Sequence, residues 1–518
     1  MQVHEFLERS AQRDPDRQAA WFKDEWKTFA ELDAMANQVG NHLKGQGVRR
    51  GDRVALLYEN SFDYIAAYYG ILKAGAVTVA LNTETTSDAL RYLLANSGAR
   101  AVITNQAFSR HLVPALPDLP DLRHVVVRQD DLAPYEAAGG AAAVRLQEVY
   151  ASADRTPPRV RSIDLDLASI VYTSGSTGKS KGAVLRHYNI VANTRSIVEY
   201  LRLTRDDRAM VVLPFYYIYG KSLLNTHFSV GGSVVIDNRF AFPNVILETM
   251  KKTGATGFSG VPSTFMILLS RSVVRKEKFP ALRYLTQAGG PMAPAVQRDV
   301  AGTFAPARLY VMYGATEASA RLSYLDPDDL PRKWGSIGRA IPNVDLFVAD
   351  ETGRELPQGE VGELVARGTN FMEGYWQDPE ETARVLRHGL YFTGDLGRMD
   401  EEGFLYVVGR TKDMIKVGGE RVSAKEVEEA ILELKEVQEA AVIGVDDDVL
   451  GEAIKAFVVA APGREVGHDL VVGHCRQRLP LFKVPKSVVV VPELPKNESG
   501  KVLKPVLREM ERKKTGSG

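Results

Sequence analysis

One cysteine, Cys475, is all the chain has. That excludes an intramolecular disulfide and any multi-cysteine metal site, and it fits a reducing compartment. Net charge is missing as well: 65 Lys and Arg balance 65 Asp and Glu, so no basic excess points to nucleic acid or an anionic membrane. Nor is any apolar run long and charge-free enough to span a bilayer. The longest, residues 62–81, contains Asp63, Lys73 and two glycines, and predicts a core helix running into a strand. The charged opening segment, 1–22, does not read as a secretory signal. No repeat or low-complexity tract interrupts the chain, and only 513–518 reads as a disordered tail. The expectation is a cytoplasmic protein with no membrane span and no nucleic-acid partner.

What is present is a globular composition, 45% apolar and 25% charged over 518 residues, long enough for about three domains or subdomains. In the first ~170 residues helical patterns alternate with short apolar runs at 54–57, 76–80, 101–104 and 124–127. That texture predicts α/β layers around a largely parallel sheet. Segments 206–237 and 256–288 continue it, with strands expected at 209–213 and 233–236. From about Ser336, β-like runs alternate with turns such as 351–353 and 401–403, predicting a small antiparallel, barrel-like subdomain. After the polar junction 409–413 a compact α+β domain is expected. Its first helix would open with a capping box from Ser423 to Glu426 and present Val427, Ala430, Ile431 and Leu434 on one face. The predicted boundaries are 1–410 and 411–518, with the hinge at the junction.

Residues 172–182 read Tyr-Thr-Ser-Gly-Ser-Thr-Gly-Lys-Ser-Lys-Gly: five Ser and Thr hydroxyls, three glycines and two lysines in eleven positions. Glycines let backbone N–H groups converge on an anion, and hydroxyls with Lys179 and Lys181 add hydrogen bonds and charge suited to a polyphosphate. Apolar residues at 190, 191, 197, 198 and 201 keep helical spacing. The loop is therefore expected to join the strand before it to a helix, whose N-terminus would favour the same anion. Thr173 occupies the place of the first Walker glycine, so this is not an ordinary P-loop.

Further segments accompany the loop in order: Tyr-Gly-Ala-Thr-Glu-Ala at 313–318, Gly-Glu-Leu-Val-Ala-Arg-Gly at 362–368, Tyr-Phe-Thr-Gly-Asp-Leu-Gly at 391–397, Gly409-Arg410 with Lys412–Lys416, and Asn-Glu-Ser-Gly-Lys at 497–501. Together they resemble the adenylate-forming superfamily of acyl-CoA synthetases, stand-alone adenylation domains and beetle luciferases, over nearly the whole chain. The resemblance implies ATP, Mg²⁺ and a carboxylic acid as substrates and cofactor. The acid would be joined to AMP with loss of pyrophosphate, then passed to the thiol of CoA or of phosphopantetheine on a separate acyl or peptidyl carrier protein. It implies β- and γ-phosphate contacts from Thr173, Ser174, Ser176, Thr177 and Lys181 around Gly175 and Gly178, and an α-phosphate contact from Thr316. Glu317 would be the metal ligand. Gly289, Gly290 and Tyr313 would form an adenine slot, and Asp395 with Arg410 would hold the ribose. Lys501 would bridge carboxylate and phosphate in the adenylating step. Lys416, with the 418–421 loop, would serve the second step after the C-terminal domain turns about Lys412.

The acid itself is less legible. Segment 213–222 carries Tyr217 where many acyl- and aryl-CoA synthetases show a histidine, and it lacks the aspartate that amino-acid adenylation domains use for the substrate ammonium. Tyr217, Ile218, Lys221, Phe258, Ser259 and Ala288 are the candidate pocket wall. Lys221 would pair a second acidic group on the substrate or else stand exposed. Adjacent tyrosines on a strand face opposite ways, so only one of Tyr216 and Tyr217 is expected inside. No carrier domain follows Lys501. Three rival readings remain. A P-loop ATPase releasing ADP is opposed by the missing Walker glycine, and a silent binding module is opposed by Glu317, Asp395 and Lys501. Adenylation with transfer to an amine or other nitrogen stays open.

Overall fold

A computed structural model describes residues 1–173, 180–410, 413–418, 420–447, 449–496 and 502–515. Among them the strands assemble into four sheets. The first runs, edge to edge, Gly374–Tyr375, Lys181–Arg186, Leu167–Thr173, Val77–Ala80, Arg53–Leu57, Ala101–Asn105, His124–Arg128 and Ala142–Arg145. It is parallel from Leu167–Thr173 onward. Strands such as Val77–Ala80 are wholly buried, as expected where helices cover both faces of a parallel sheet. The second sheet has nine strands. Its centre is the parallel set Ser233–Ile236, Arg208–Val211, Gly257–Gly260, Tyr284–Gln287 and Arg308–Tyr313.

The helix Phe62–Lys73 lies within the main core cluster, and every residue of it is buried. Its two ionic residues survive there because each is paired. Lys73 Nζ lies 2.7 Å from Asp33 and 3.0 Å from Glu8. Asp63 lies 3.0 Å from Arg128 and accepts from the Tyr58 and Tyr150 phenols. A strand, Val77–Ala80, follows directly, as the apolar run 62–81 predicts.

Past Ser336 the strands Val344–Ala349, Gly362–Gly368, Leu390–Met399 and Leu405–Arg410 form an antiparallel sheet. The smaller C-terminal domain packs the helices Ala424–Ile431 and His468–Arg478 against the antiparallel pair Val437–Asp447 and Gly451–Ala460. The mixed α/β architecture, with a large parallel-rich N-terminal domain, an antiparallel subdomain and a small α+β domain, is the one expected.

Two local expectations change. The chain from Lys181 does not enter a helix: Lys181–Arg186 pairs antiparallel with Leu167–Thr173, burying Ala183, Val184 and Leu185, and the helix begins only at His187. The segment that follows Leu167–Thr173 by way of residues 174–179 is therefore a paired strand and not a helix. At Ala424–Ile431, the first helix of the C-terminal domain, Ser423 Oγ accepts from Glu426 N at 3.4 Å as expected and also donates to Val408 O, but the Glu426 carboxylate accepts from Lys483 instead of closing the capping box. Leu434 lies beyond the helix end but still packs on its cluster.

Candidate active site

The pairing of Leu167–Thr173 with Lys181–Arg186 fixes where the phosphate loop starts and ends. Tyr172 pairs with Gly182 and Thr173 with Lys181, and Thr173 Oγ1 lies 3.4 Å from Lys181 O. Ser174, Gly175, Ser176, Thr177 and Gly178 lie outside the described residues. Lys181 Nζ is 2.6 Å from Glu381 Oε1 and 5.7 Å from the centre of the Tyr375 ring. The Tyr375 phenol donates to Glu317 Oε1 at 2.7 Å. Burial and that carboxylate push the phenol's pKa far up, so it stays a donor. Glu317 is further tied by its carbonyl, which accepts from Met372 N at 2.8 Å. Lys181 and Glu317, far apart in sequence, are therefore joined through one tyrosine. Neither Tyr375 nor Glu381 was singled out from sequence, since neither lies in a glycine- or hydroxyl-rich run. The short strand Gly374–Tyr375, which pairs with Lys181–Arg186, brings Tyr375 there, and the helix Pro379–Val385 that follows carries Glu381.

A second constellation surrounds Asp395, which is only 6% exposed. Its Oδ2 accepts from the Tyr313 phenol at 2.6 Å and its Oδ1 from Arg410 Nε at 2.7 Å. Arg410 is its cross-strand partner in the ladder. Burial and the Asp395 carboxylate raise the Tyr313 pKa well above the ordinary phenol value. Gly394, at φ +73°, supplies the left-handed residue that bends the strand just before Asp395. Its N–H is anchored by Glu363 Oε1 at 2.7 Å, a role for the 362–368 motif that its sequence alone did not assign. Thr316 opens a single turn, Thr316–Ala318, and the backbone then passes through positive φ at Ser319 and Ala320. Gly314 is required beneath that turn: a Cβ there would sit 1.9 Å from Ala320 O. Gly289 turns at φ +86°, and Gly290 O accepts from Gln287 Nε2 at 2.8 Å.

The candidate pocket wall divides. Tyr216 and Tyr217 belong to a turn rather than a strand, and their rings lie together, 4.5 Å apart at 51°; the alternation argument for opposite faces does not apply. Ile218 and Lys221, at the start of the helix Ile218–Val230, line one small cavity. Lys221 is not exposed: it is 1% accessible. Phe258 instead points into the second core cluster, edge-on to Phe265, which takes it away from that cavity. Ser259, the next residue, bonds Thr286 Oγ1 at 2.6 Å, and Ala288 is buried in the main core.

In the C-terminal domain Lys416 is exposed on the strand Met414–Val417, its N–H held by Glu452 at 2.7 Å. Gly418 turns at φ +58°. Lys412 and Lys501 lie outside the described residues.

The AMP-binding enzyme family matches residues 7–376, and the AMP-binding enzyme C-terminal domain matches 426–501. A long-chain-fatty-acid–CoA ligase from Yersinia pestis is 34% identical, over 98% of this chain and 94% of that protein. A feruloyl-CoA synthase from Amycolatopsis sp. is 35% identical, over 93% of each. Among solved structures, the anthranilate CoA ligase AuaEII in complex with anthranoyl-AMP superposes with a TM-score of 0.91 at 27% identity, covering 100% of this chain and 98% of that one. ATP-bound MatB from Rhodopseudomonas palustris gives 0.87 at 32% identity, covering 99% of both. With its Tyr313–Asp395–Arg410 constellation and both family domains in order, the chain belongs to the adenylate-forming AMP-binding enzymes.

Proposed function

We propose that this chain is an AMP-forming acid–thiol ligase that activates a carboxylic acid with ATP and hands the acyl group to a phosphopantetheine thiol. The thiol is that of CoA or of a separate carrier protein. In the first step a carboxylate oxygen attacks the α-phosphorus, the bond to the bridging oxygen breaks, and pyrophosphate leaves. In the second, the thiol sulfur attacks the acyl carbon, the anhydride C–O bond breaks, and AMP leaves with the thiol proton released. Such chemistry needs alignment and charge neutralisation more than covalent help from the protein.

The observation that carries the reading is the pair of carboxylates held by partners suited to a nucleotide. Asp395 has both oxygens oriented by Tyr313 and Arg410, and Glu317 stands one tyrosine away from Lys181. Asp395 is placed to accept from ribose hydroxyls, with Tyr313, Gly289 and Gly290 flanking the purine. Thr173, Ser174, Ser176, Thr177 and Lys181 hold the phosphates, Thr316 the α-phosphate. The Glu317 carboxylate, oriented by the Tyr375 phenol, together with substrate phosphates would make an all-oxygen donor set that fits Mg²⁺. When bound, the ion neutralises phosphate charge. Lys501 supplies the cation of the first step and Lys416 serves the second, with residues 411–518 turning as a unit about Lys412. The protein works in a reducing, cytosolic setting.

The test is a carboxylic-acid panel assayed by ATP–pyrophosphate exchange, followed by CoA and carrier-protein acceptors. AMP and pyrophosphate are the expected products; ADP, or no exchange with any acid, would overturn the reading.

A further inference from the structure

Among the described residues two lysines have side chains withdrawn almost completely from solvent, and they are treated differently. Lys73 touches two carboxylates. Lys221 has Ser169 Oγ at 3.4 Å and the face of the Tyr68 ring at 5.4 Å, and among the described residues it makes no ion pair. An ammonium has three donors and no acceptor, so a single long contact leaves it under-satisfied. A buried cation without an anion is costly. Burial alone pulls its pKa down to about 7, so near neutrality the amine is ready to take up a proton as soon as a negative partner arrives.

The place for that partner is adjacent. Lys221, Ser222 and Asn225, with Thr194 and Ile190 from the helix His187–Leu201 and Ser319 from the turn after Thr316–Ala318, line a cavity of about 10 Å³. That is room for a single water-sized group. Ser319 Oγ is buried there with no hydrogen-bond partner, so two polar groups are held back from water without being satisfied. The groups around the amine belong to segments that also build the proposed adenylating centre: Ser169, which Lys221 touches, shares a strand with Thr173, and Ser319 follows the turn that holds Glu317.

We infer that Lys221 anchors a second negatively charged group on the acid substrate, so that preferred acids carry two acidic groups, one activated and one held. This rests on the adenylation reading above. The hydroxyls and amide around the amine supply further donors to an anionic oxygen, and Ser319 acquires the partner it lacks.

The full chain is assayed by pyrophosphate exchange with matched pairs of straight-chain mono- and dicarboxylic acids, matched benzoate and carboxybenzoate pairs, and long-chain fatty acids. At the best length kcat/KM for the diacid is expected to exceed that for the monoacid at least about tenfold, the scale of one charge-assisted hydrogen bond. In Lys221→Met the ratio falls to about one, and in Thr194→Val it falls part of the way. Monoacids accepted as well as or better than diacids would overturn the inference while leaving the adenylation reading intact. A diacid preference unchanged in Lys221→Met would overturn the assignment to Lys221. Should Lys221→Met fail to fold, the wild-type ratio and Thr194→Val decide. No exchange with any acid would overturn the adenylation reading and this inference with it.

Discussion

At Asp395 each carboxylate oxygen has one directed donor, a phenol on one side and a guanidinium on the other. This fixes the plane of the carboxylate before any nucleotide binds, which is the kind of preorganisation that lowers the cost of recognition. Hydrogen bonds to charged groups are worth about 1.5–3 kcal/mol. Asp395→Asn is therefore expected to lower kcat/KM for ATP roughly 10- to 150-fold, and Tyr313→Phe, which keeps the ring, by less. Steady-state exchange kinetics at saturating acid check both, and a loss in Tyr313→Phe equal to that in Asp395→Asn would show that the phenol's bond to the carboxylate matters as much as its charge. Lys181 illustrates a different residue-scale fact. Its ammonium is held by Glu381, so a phosphate must compete with a carboxylate for the same cation.

Among the elements, the N-terminal helix Glu5–Arg13 is tied to the helix His187–Leu201 by two neutral histidines. His4 and His187 meet edge to face, 6.0 Å apart, and His187 Nδ1 accepts from Val3 N at 3.1 Å. Burial lowers their pKa values to about 4 and about 3. An unfolded chain takes up these protons from about pH 6.5 downward while the folded one refuses them. Each histidine therefore adds stability that is complete above pH 6.5 and is lost as the pH falls toward 4, at up to about 1.4 kcal/mol per pH unit. Thermal melts between pH 7.5 and 4.5 should show this slope, and His187→Gln should make it shallower.

The strands around 54–57, 101–104 and 124–127 were legible because buried parallel strands appear as unbroken apolar runs. The Lys181–Arg186 strand was not, since Ala183-Val184-Leu185 suits a helix face or a sheet equally and only pairing with Leu167–Thr173 decides. The proposed nucleotide-site residues could be chosen from glycine- and hydroxyl-rich motifs. Tyr375 and Glu381 could not, because sheet pairing and not sequence proximity delivers them to Glu317 and Lys181. The burial of Lys221 was equally hidden, since nothing in its neighbours distinguishes an inward lysine from an outward one.

For the whole molecule, the proposal that residues 411–518 present Lys501 in one step and Lys416 in the other separates the two half-reactions. Lys501→Ala is expected to abolish pyrophosphate exchange, by at least about a hundredfold, while largely sparing thiolysis of a supplied acyl-adenylate. Equal loss of both activities would count against two arrangements of the domains. The antiparallel ladder of Leu390–Met399 with Leu405–Arg410 sets Asp395 directly across from Arg410, two residues before the proposed pivot Lys412. A one-residue insertion in the connecting turn, 400–404, would slip that register and send alternate side chains to the opposite face. Arg410 would then leave Asp395, so on the proposed reading the length of a distant surface turn governs both nucleotide affinity and where the turning domain is attached.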